Sequence, residues 1–430
     1  MRHLTGLWRI SVMKRKMTIL SITVIAVLLL TACGILPSTL TGIYPFRESK
    51  SQAVIEPTPA LQSNPPLDLA AGEVSLEEYQ NTLQTVYAQV NPSVVNIQVE
   101  IAANFQMERN PFGDFDDFPA IPKNQIALGS GFVWDTQGHI VTNNHVVDGA
   151  DNVIVTFADG QVYSAKVVGK DPDSDLAVIK VDAPSASLTP LVLADSDQVK
   201  VGQVAIAIGN PYGLEGTMTV GIVSALGRSL PSTAVAGSTS SYIIPDVIQT
   251  DAAINPGNSG GVLVDITGKV IGVTAAIEST TGANAGIGFV IPANIVARVV
   301  PALIKDGSYA HPWLGISGIT LTPKLNEVMG LDENQRGVLV EDVIAKSPAD
   351  KAGLVGSDKS VEIDGRKINV GGDIIVGING EKVEVFEDLA AYLIKKGVIG
   401  ETIRLDILRD NKPMSLEVTL APRPKADQQK

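Results

Sequence analysis

The residues most informative about chemistry form the pentapeptide Gly257-Asn258-Ser259-Gly260-Gly261. A serine flanked by glycines suits a nucleophile on a sharp turn, because glycine permits backbone conformations and close approaches that other residues do not. Two unrelated classes of serine hydrolase use such a turn, and they differ in chain order. One class runs serine, acid, histidine, and the other runs histidine, aspartate, serine. The positions of the histidines and acids therefore decide between them.

The chain has four histidines, and only His311 follows Ser259. His311 lies at a predicted domain boundary, where we expect an ordinary exposed histidine. Of the other three, His3 is in the N-terminal leader and His139 opens a predicted strand. His145 is left as the candidate base, so the order histidine, aspartate, serine is favoured.

The third member of such a triad must be a carboxylate that orients the histidine ring. Three candidates follow His145, namely Asp171, Asp173 and Asp175. Asp175 leads directly into the apolar run 176–181, a predicted strand that can hold it rigidly. Asp171 and Asp173 are better explained as turn residues on either side of a proline. Asp175 is therefore the predicted acid.

Composition limits the other function classes. With 430 residues, 45% of them hydrophobic and 18% charged, the chain has the length for two folded domains plus appendages. A formal net charge of -13 disfavours binding to nucleic acid. No Gly-x-x-x-x-Gly-Lys-Ser/Thr loop and no His-Glu-x-x-His motif occur, and there is a single cysteine. We therefore expect no cofactor and no metal.

The first 33 residues read as an export leader. Basic residues 14–16 precede the uncharged run 17–30, and Leu30-Thr-Ala-Cys33 follows. These four residues resemble the bacterial lipobox, in which the cysteine receives a lipid. The alternative is an uncleaved membrane anchor, since the apolar run is only somewhat shorter than the roughly 20 residues of a spanning helix. Either reading places the protein outside the cytoplasm, attached to the cell membrane, and 34–73 is a predicted flexible linker.

The elements that must position the site are short strands. Ser75 and Glu78 form a capping box for one amphipathic helix that ends at Pro92. Beyond Pro92, short β-branched runs alternate with Gly, Asn and Asp. This pattern predicts an all-β barrel or sandwich within residues 74–306 and argues against alternating βαβ units.

The chain is similar to HtrA/Deg serine proteases in five motifs that occur in family order: 142–147, 173–178, 208–211, 221–224 and 249–261. The resemblance implies a mainly β protein with a chymotrypsin-like double β-barrel. It further implies that His145 is the general base, Asp175 orients it and Ser259 is the nucleophile.

The same resemblance extends to substrate contacts. It implies an oxyanion hole at Gly257, Asn258 and Ser259, with the N–H groups of Gly257 and Ser259 as donors. A specificity pocket is expected at Ile287, Gly288 and Phe289. Segment 105–118 contains four of the nine phenylalanines. It is interpreted either as a homotrimer contact or as a loop that buries them locally.

A second set of motifs, beginning at Trp313-Leu314-Gly315-Ile316, resembles a PDZ domain over residues 307–424. Its groove would accept peptide C-termini as an added strand, with the amides of residues 314–316 holding the carboxylate. The family resemblance implies an ATP-independent endopeptidase that degrades misfolded exported polypeptides. The rival hypothesis is a scaffold or holdase that binds peptides without cleaving them. An intact triad argues against that rival.

Overall fold

The computed structural model describes residues 75–102, 124–211, 216–231, 243–277 and 286–424. The predicted leader with Cys33, the linker and segment 105–118 lie outside these residues. Within the described ranges, no helix combines the length and the apolar character needed to cross a membrane.

The helices of the described residues are α1 Leu76–Val90, α2 Asn144–Val147, α3 Ala293–Asp306, α4 Pro323–Met329, α5 Pro348–Lys351 and α6 Phe386–Lys395. The strands up to α3 are β1 Val94–Ala102, β2 Asn124–Val133, β3 His139–Asn143, β4 Asn152–Thr156, β5 Val162–Asp171, β6 Leu176–Val181, β7 Val204–Gly209, β8 Thr217–Pro231, β9 Ile243–Thr250, β10 Val262–Val264, β11 Val270–Ile277 and β12 Gly288–Pro292. Those after α3 are β13 Pro312–Trp313, β14 Ile316–Thr320, β15 Val338–Val343, β16 Lys359–Ile363, β17 Arg366–Val370, β18 Ile374–Ile378, β19 Glu381–Lys382, β20 Thr402–Arg409, β21 Lys412–Thr419 and β22 Ala421–Pro422.

The first twelve strands form two closed six-stranded barrels. Their strand orders are β1-β2-β3-β6-β5-β4 and β10-β11-β12-β9-β8-β7. One buried cluster joins the two barrels, because Phe132 and Val141 of the first pack in the same core as Ile206 and Val262 of the second. The expected mainly β, double-barrel fold is confirmed.

Helix α1 has the predicted N-terminal cap, and helix α3 ends at a glycine. Ser75 Oγ accepts the Glu78 N–H and the Glu78 carboxylate accepts the Ser75 N–H, both at 3.1 Å, so the capping box is formed. Helix α3 ends at Gly307, whose φ of 73° is left-handed and terminates the helix. The chain then enters the C-terminal module.

The C-terminal module has a sheet in the order β14-β15-β18-β20-β21, with β19 paired to β18. Helix α6 packs its buried side chains Leu389 and Ile394 inward. Leu389 joins the module's own core, whereas Ile394 joins the core shared by the two barrels. The module is therefore packed against the barrels through α6.

Candidate active site

His145 and Asp175 meet at the end of the first barrel. Strands β3 and β6 pair so that Asn143, just before α2, lies opposite Leu176, just after Asp175. His145 Nδ1 lies 2.8 Å from Asp175 Oδ2 and 3.1 Å from Oδ1. The His145 backbone N–H donates to Oδ1 at 3.0 Å. One carboxylate therefore fixes both the ring and the backbone of the histidine.

The backbone of Asp175 adopts an uncommon conformation to make these contacts. Its φ is 53°, in the left-handed region that aspartate tolerates better than most residues. The Asp175 carbonyl accepts hydrogen bonds from Asn143 Nδ2 and from the Asn144 N–H, both at 3.0 Å. The side chain is only 3% exposed, so its interaction with the imidazole is little screened by water.

Ser259 lies on a turn between β9 and β10, and this turn packs against the first barrel. Gly260 has a φ of 85°, and a Cβ there would lie 2.1 Å from Ser130 O and 2.4 Å from Thr142 Oγ1. The Ser130 N–H donates to Ser259 O at 2.7 Å. Gly257 also has a positive φ, 94°, and a Cβ would lie 2.6 Å from Pro211 Cβ. Both flanking glycines are thus required by the close approach and by backbone conformation.

The hydroxyl of Ser259 is turned toward the second barrel. Ser259 Oγ donates to Ala275 O at 3.1 Å, and among the described residues it makes no hydrogen bond to His145. The histidine and aspartate are therefore hydrogen-bonded to each other, while the serine hydroxyl is bonded to a carbonyl of the second barrel.

The backbone N–H groups of the turn differ in availability. The Asn258 N–H donates to Asn255 O at 2.9 Å and is already engaged. Neither the Gly257 N–H nor the Ser259 N–H donates to an atom of the described residues. These are the two groups predicted to be the oxyanion donors.

The predicted specificity pocket begins where β12 pairs with β9. Gly288 lies opposite Thr250, and a Cβ on Gly288 would be 2.7 Å from Ile254 Cδ1. Phe289 is 7% exposed and packs in the shared core, with Ile287 half-buried against the same cluster. A side chain at Gly288 would therefore have to displace the Ile254 side chain.

Helix α6 and strand β14 of the C-terminal module enclose a groove of about 320 Å³. Its lining includes all four residues of the predicted loop, Trp313 to Ile316, together with His311 and Arg423. The carbonyls of Leu314 and Gly315 accept the N–H groups of Ala349 and Ile344, both at 2.9 Å. The Leu314 and Gly315 N–H groups donate to no atom of the described residues, so they are free to bind an anion.

His311 corrects a sequence-based expectation. It was expected to be exposed, yet its side chain is 6% exposed. His311 Nε2 lies 2.8 Å and 2.9 Å from the two carboxylate oxygens of Asp171. Asp171 also accepts a hydrogen bond from Ser174 Oγ. The sequence gives no local signal for this pair, because its members are 140 positions apart.

Two arginines add contacts between the module and the barrels. Arg423 Nη1 lies 3.3 Å from Asp173 Oδ2, and burial raises the pKa of the Asp173 carboxyl above its usual 3.8 despite Arg423. Arg298 of α3 donates to Ile394 O at 3.1 Å, to Lys395 O at 2.5 Å and to Gly397 O, carbonyls at the C-terminus of α6. Helix α6 of the C-terminal module is thus hydrogen-bonded to α3, and the loop preceding Asp175 contacts the C-terminal module through Arg423.

Residues 129–273 match the trypsin-like peptidase domain family and residues 312–420 match the PDZ domain family. The chain is 45% identical over 297 residues to "Protease Do-like 1, chloroplastic" of Arabidopsis thaliana, which covers 69% of this chain and 64% of that protein, less than two thirds of its length. It is 37% identical over 386 residues to "Periplasmic serine endoprotease DegP" of Escherichia coli, covering 83% of this chain and 76% of that one.

Solved structures agree with the sequence matches. The fold superposes on "HtrA-type protease AlgW with decapeptide" with a TM-score of 0.60 and 33% identity, covering 79% of this chain and 98% of that chain. Together with the peptidase and PDZ matches, these similarities show that the chain belongs to the HtrA/Deg family of serine endoproteases, with one trypsin-like peptidase domain and one PDZ domain.

Proposed function

We propose that the chain cleaves misfolded exported polypeptides without ATP, using His145 as general base, Asp175 as its orienting acid and Ser259 as nucleophile. The observation that carries this proposal is the 2.8 Å contact of His145 Nδ1 with the buried Asp175 carboxylate, beside a serine turn in which the Gly257 and Ser259 N–H groups donate to no atom of the described residues. An extended polypeptide is the expected substrate, because a PDZ groove accepts extended backbone.

Catalysis requires the Ser259 hydroxyl to exchange its hydrogen-bond partner. The Ser259 hydroxyl leaves Ala275 O and turns toward His145 Nε2, which takes its proton as Oγ attacks the scissile carbonyl carbon. Asp175 accepts the Nδ1 hydrogen, which keeps Nε2 unprotonated before attack and stabilises the imidazolium afterwards. His145 then protonates the leaving amine, and water releases the acyl group by the same steps.

The Gly257 and Ser259 N–H groups form the proposed oxyanion hole. They stabilise the negative oxygen of the tetrahedral intermediate, and the loss of one such donor lowers kcat by about 10²- to 10³-fold in serine proteases. Asn258 belongs to the turn, but its own N–H is used within it. Ile287, Gly288 and Phe289 are proposed as the adjoining wall of the specificity pocket.

The PDZ groove is proposed to bind peptide C-termini and to influence cleavage. The free N–H groups of Leu314 and Gly315 suit a terminal carboxylate, and the apolar bed suits aliphatic or aromatic side chains. Two groove residues, His311 and Arg423, also contact the loop that carries Asp175. An occupant that displaces either contact would act on the protease domain.

The location and assembly of the protein complete the proposal. Relatives named as periplasmic support an extracytoplasmic location. We place the lipid on Cys33, with an uncleaved N-terminal anchor as the alternative. Mass spectrometry of the N-terminal peptide distinguishes a lipid-modified Cys33 from a free thiol that follows an intact leader. Segment 105–118 is assigned to a homotrimer contact, which light scattering of the detergent-solubilised protein tests.

The decisive experiment is casein digestion by the full chain and by Ser259→Ala. We expect the variant to lose about 10⁴- to 10⁶-fold in turnover and still bind casein. Ser196→Ala is the matched control, because it deletes another buried serine hydroxyl, bonded to the Asn294 N–H at 3.0 Å, outside the site. Digestion by Ser259→Ala at the wild-type rate would refute the assignment. Binding of casein with no digestion even by the wild-type chain would support the scaffold hypothesis instead.

A second experiment tests the proposed control by the PDZ domain. A peptide with a free apolar C-terminus should raise the cleavage of a small reporter substrate by the full chain. A tenfold rise corresponds to about 1.4 kcal/mol of coupling between the two sites. A chain ending at Gly307 should lose the response. If the response survived that truncation, the PDZ domain would serve only to tether substrates.

A further inference from the structure

Two buried hydroxyl groups contact successive carbonyls of the serine turn. Ser130 Oγ donates to Gly257 O at 2.6 Å, and Thr274 Oγ1 donates to Asn258 O at 2.6 Å. Ser130 is 0% exposed and Thr274 is 1% exposed, so solvent water does not compete for either hydrogen bond. The first hydroxyl comes from β2 of the first barrel and the second from β11 of the second barrel.

These bonds determine where the turn's N–H groups point. In a trans peptide the C=O and the next N–H point in opposite directions within one rigid plane. The carbonyl held by Thr274 shares its plane with the Ser259 N–H, a proposed oxyanion donor. The carbonyl held by Ser130 is that of Gly257 itself, so the bond restricts the ψ rotation of Gly257. The Gly257 N–H, the other proposed donor, lies in the preceding peptide plane and is oriented only through this residue. Each hydroxyl thus orients the backbone next to one donor.

Ser130 also links the turn to a neighbouring loop. Its Oγ accepts the Asn210 N–H at 2.8 Å while donating to Gly257 O. The loop packs on the turn, because a Cβ on Gly257 would meet Pro211 Cβ at 2.6 Å. Asn96 Nδ2 donates to Asn210 O at 2.8 Å and holds the other side of the loop. One hydroxyl therefore bonds both the serine turn and the loop at Asn210, the two segments that border the proposed nucleophile.

Each of the two peptide planes has one backbone hydrogen bond within the turn, and the buried hydroxyl supplies a second contact. Asn258 O accepts the Gly261 N–H at 2.9 Å, so the Thr274 hydroxyl is its second donor. Gly257 lacks a side chain and has a φ of 94°, and the peptide plane that follows it is held by the Asn258 N–H bond to Asn255 O together with the Ser130 hydroxyl. A catalytic donor must be aimed at the position of the oxyanion before reaction begins.

We propose that Ser130 and Thr274 are positioning residues for catalysis. Thr274 fixes the peptide plane that carries the Ser259 N–H, and Ser130 fixes the plane that follows Gly257 and so limits the orientation of the Gly257 N–H. This inference rests on the proposed role of Ser259 as nucleophile. Neither residue touches the substrate, and both act through the backbone of residues 257–259. Their removal should slow the chemical step while leaving ground-state binding of the substrate unchanged.

The test compares full-length variants that separate hydroxyl from shape. Thr274→Val keeps the branched side chain and removes the hydroxyl, whereas Thr274→Ser keeps the hydroxyl and removes the methyl group. Ser130→Ala removes the other hydroxyl, with Ser196→Ala as control. For a reporter peptide, kcat and KM are measured, together with the affinity of a peptidyl boronic acid, whose tetrahedral adduct places an oxygen in the oxyanion hole. Melting temperatures establish that each variant is folded.

We expect kcat of Thr274→Val and of Ser130→Ala to fall by about 10- to 100-fold, less than the 10²- to 10³-fold cost of deleting a donor. KM should stay constant, boronate affinity should fall in parallel with kcat, and Thr274→Ser should retain most of the wild-type rate. Equal kcat in Thr274→Val and wild type, or equal losses in Thr274→Val and Thr274→Ser, would overturn the proposal for Thr274.

Ser130→Ala keeps the proposal testable if Thr274→Val does not fold. A rise in KM with unchanged kcat in Ser130→Ala would show that its hydroxyl serves substrate binding and would overturn its positioning role. Ser259→Ala is assayed in parallel. If it is inactive while both hydroxyl variants are fully active, the positioning inference fails and the proposed nucleophile stands. If Ser259→Ala is itself active, the proposed function fails.

Discussion

The buried pair of His311 and Asp171 should make a measurable contribution to the stability of the contact between the PDZ domain and the protease. Their side chains are 6% and 4% exposed, and Nε2 is within 2.9 Å of both carboxylate oxygens. A hydrogen bond to a charged group contributes about 1.5 to 3 kcal/mol. The Tyr309 ring meets the imidazole edge to face at a centroid distance of 4.7 Å, which adds about 0.5 to 1.5 kcal/mol. His311→Ala should therefore lower the free energy of unfolding by about 2 to 4.5 kcal/mol.

A double-mutant cycle isolates the pair from these other contacts. His311→Ala, Asp171→Ala and the double variant are unfolded in urea at neutral pH and followed by tryptophan fluorescence. Trp313 is two residues after His311, and Trp134 directly follows β2 of the first barrel, so both domains contribute to the signal. The coupling energy should be about 1.5 to 3 kcal/mol.

The exposed pair Lys324 and Asp364 is the matched control. Its atoms are 2.6 Å apart, yet the side chains are 64% and 66% exposed, so its coupling should be about 0.2 to 1 kcal/mol. If the His311 and Asp171 cycle gave no more than this control, the reasoning from burial would be refuted. Because His311 lines the PDZ groove, the same variants should also show a weaker response of reporter cleavage to peptide.

Three further outcomes are expected. Asp175→Asn should preserve the fold and lower kcat by about 10⁴-fold, because the amide favours the wrong tautomer of His145; a loss of less than tenfold in reporter hydrolysis would contradict its role. The raised pKa of Asp173 means that the folded state binds more protons than the unfolded state, so its contribution to stability falls as pH rises from 3.8 through the folded pKa. Asp173→Asn should therefore gain stability relative to the wild-type chain as pH rises across that window. If the difference in melting temperature between the variant and the wild-type chain did not change with pH, this role of Asp173 would be excluded. Arg298→Gln should lower the free energy of unfolding by about 1.5 to 3 kcal/mol, since Arg298 donates to the last carbonyls of the groove helix α6. For the same reason it should weaken peptide binding, which calorimetry with a C-terminal peptide measures. Unchanged peptide affinity would limit Arg298 to a structural role.

Much of the candidate site could be predicted because its signals are local or depend only on chain order. Glycines on both sides of Ser259 are required by the turn itself, and the positions of His145 and Asp175 before it favoured one class of hydrolase. The apolar run after Asp175 predicted β6, whose pairing with β3 places Asp175 beside His145. Short β-branched runs likewise predicted the barrels, since alternation along a strand is a local property.

The prediction of an exposed His311 was wrong, and the interpretation of Asp171 as a turn residue missed its buried contact, for the same physical reason. Near Pro172, an aspartate has an adequate local explanation in turn chemistry, and a lone histidine near a domain boundary gives no sign of burial. The partner that makes each of them structural is 140 residues away. Burial of both side chains, and hence the strength of the pair, exists only once the PDZ domain packs against the first barrel.

The sequence by itself thus determined which residues could carry the chemistry, the mainly β fold class and the order of the two domains. Tertiary structure alone decided that Ser130 reaches Gly257 across 127 positions, that Thr274 holds the next carbonyl, and that the Ser259 hydroxyl faces Ala275. Residue identity and spacing encode strands, turns and chain order, because these depend on neighbouring residues. The direction of a peptide plane or a hydroxyl depends on side chains from both barrels, which meet only after each barrel has closed.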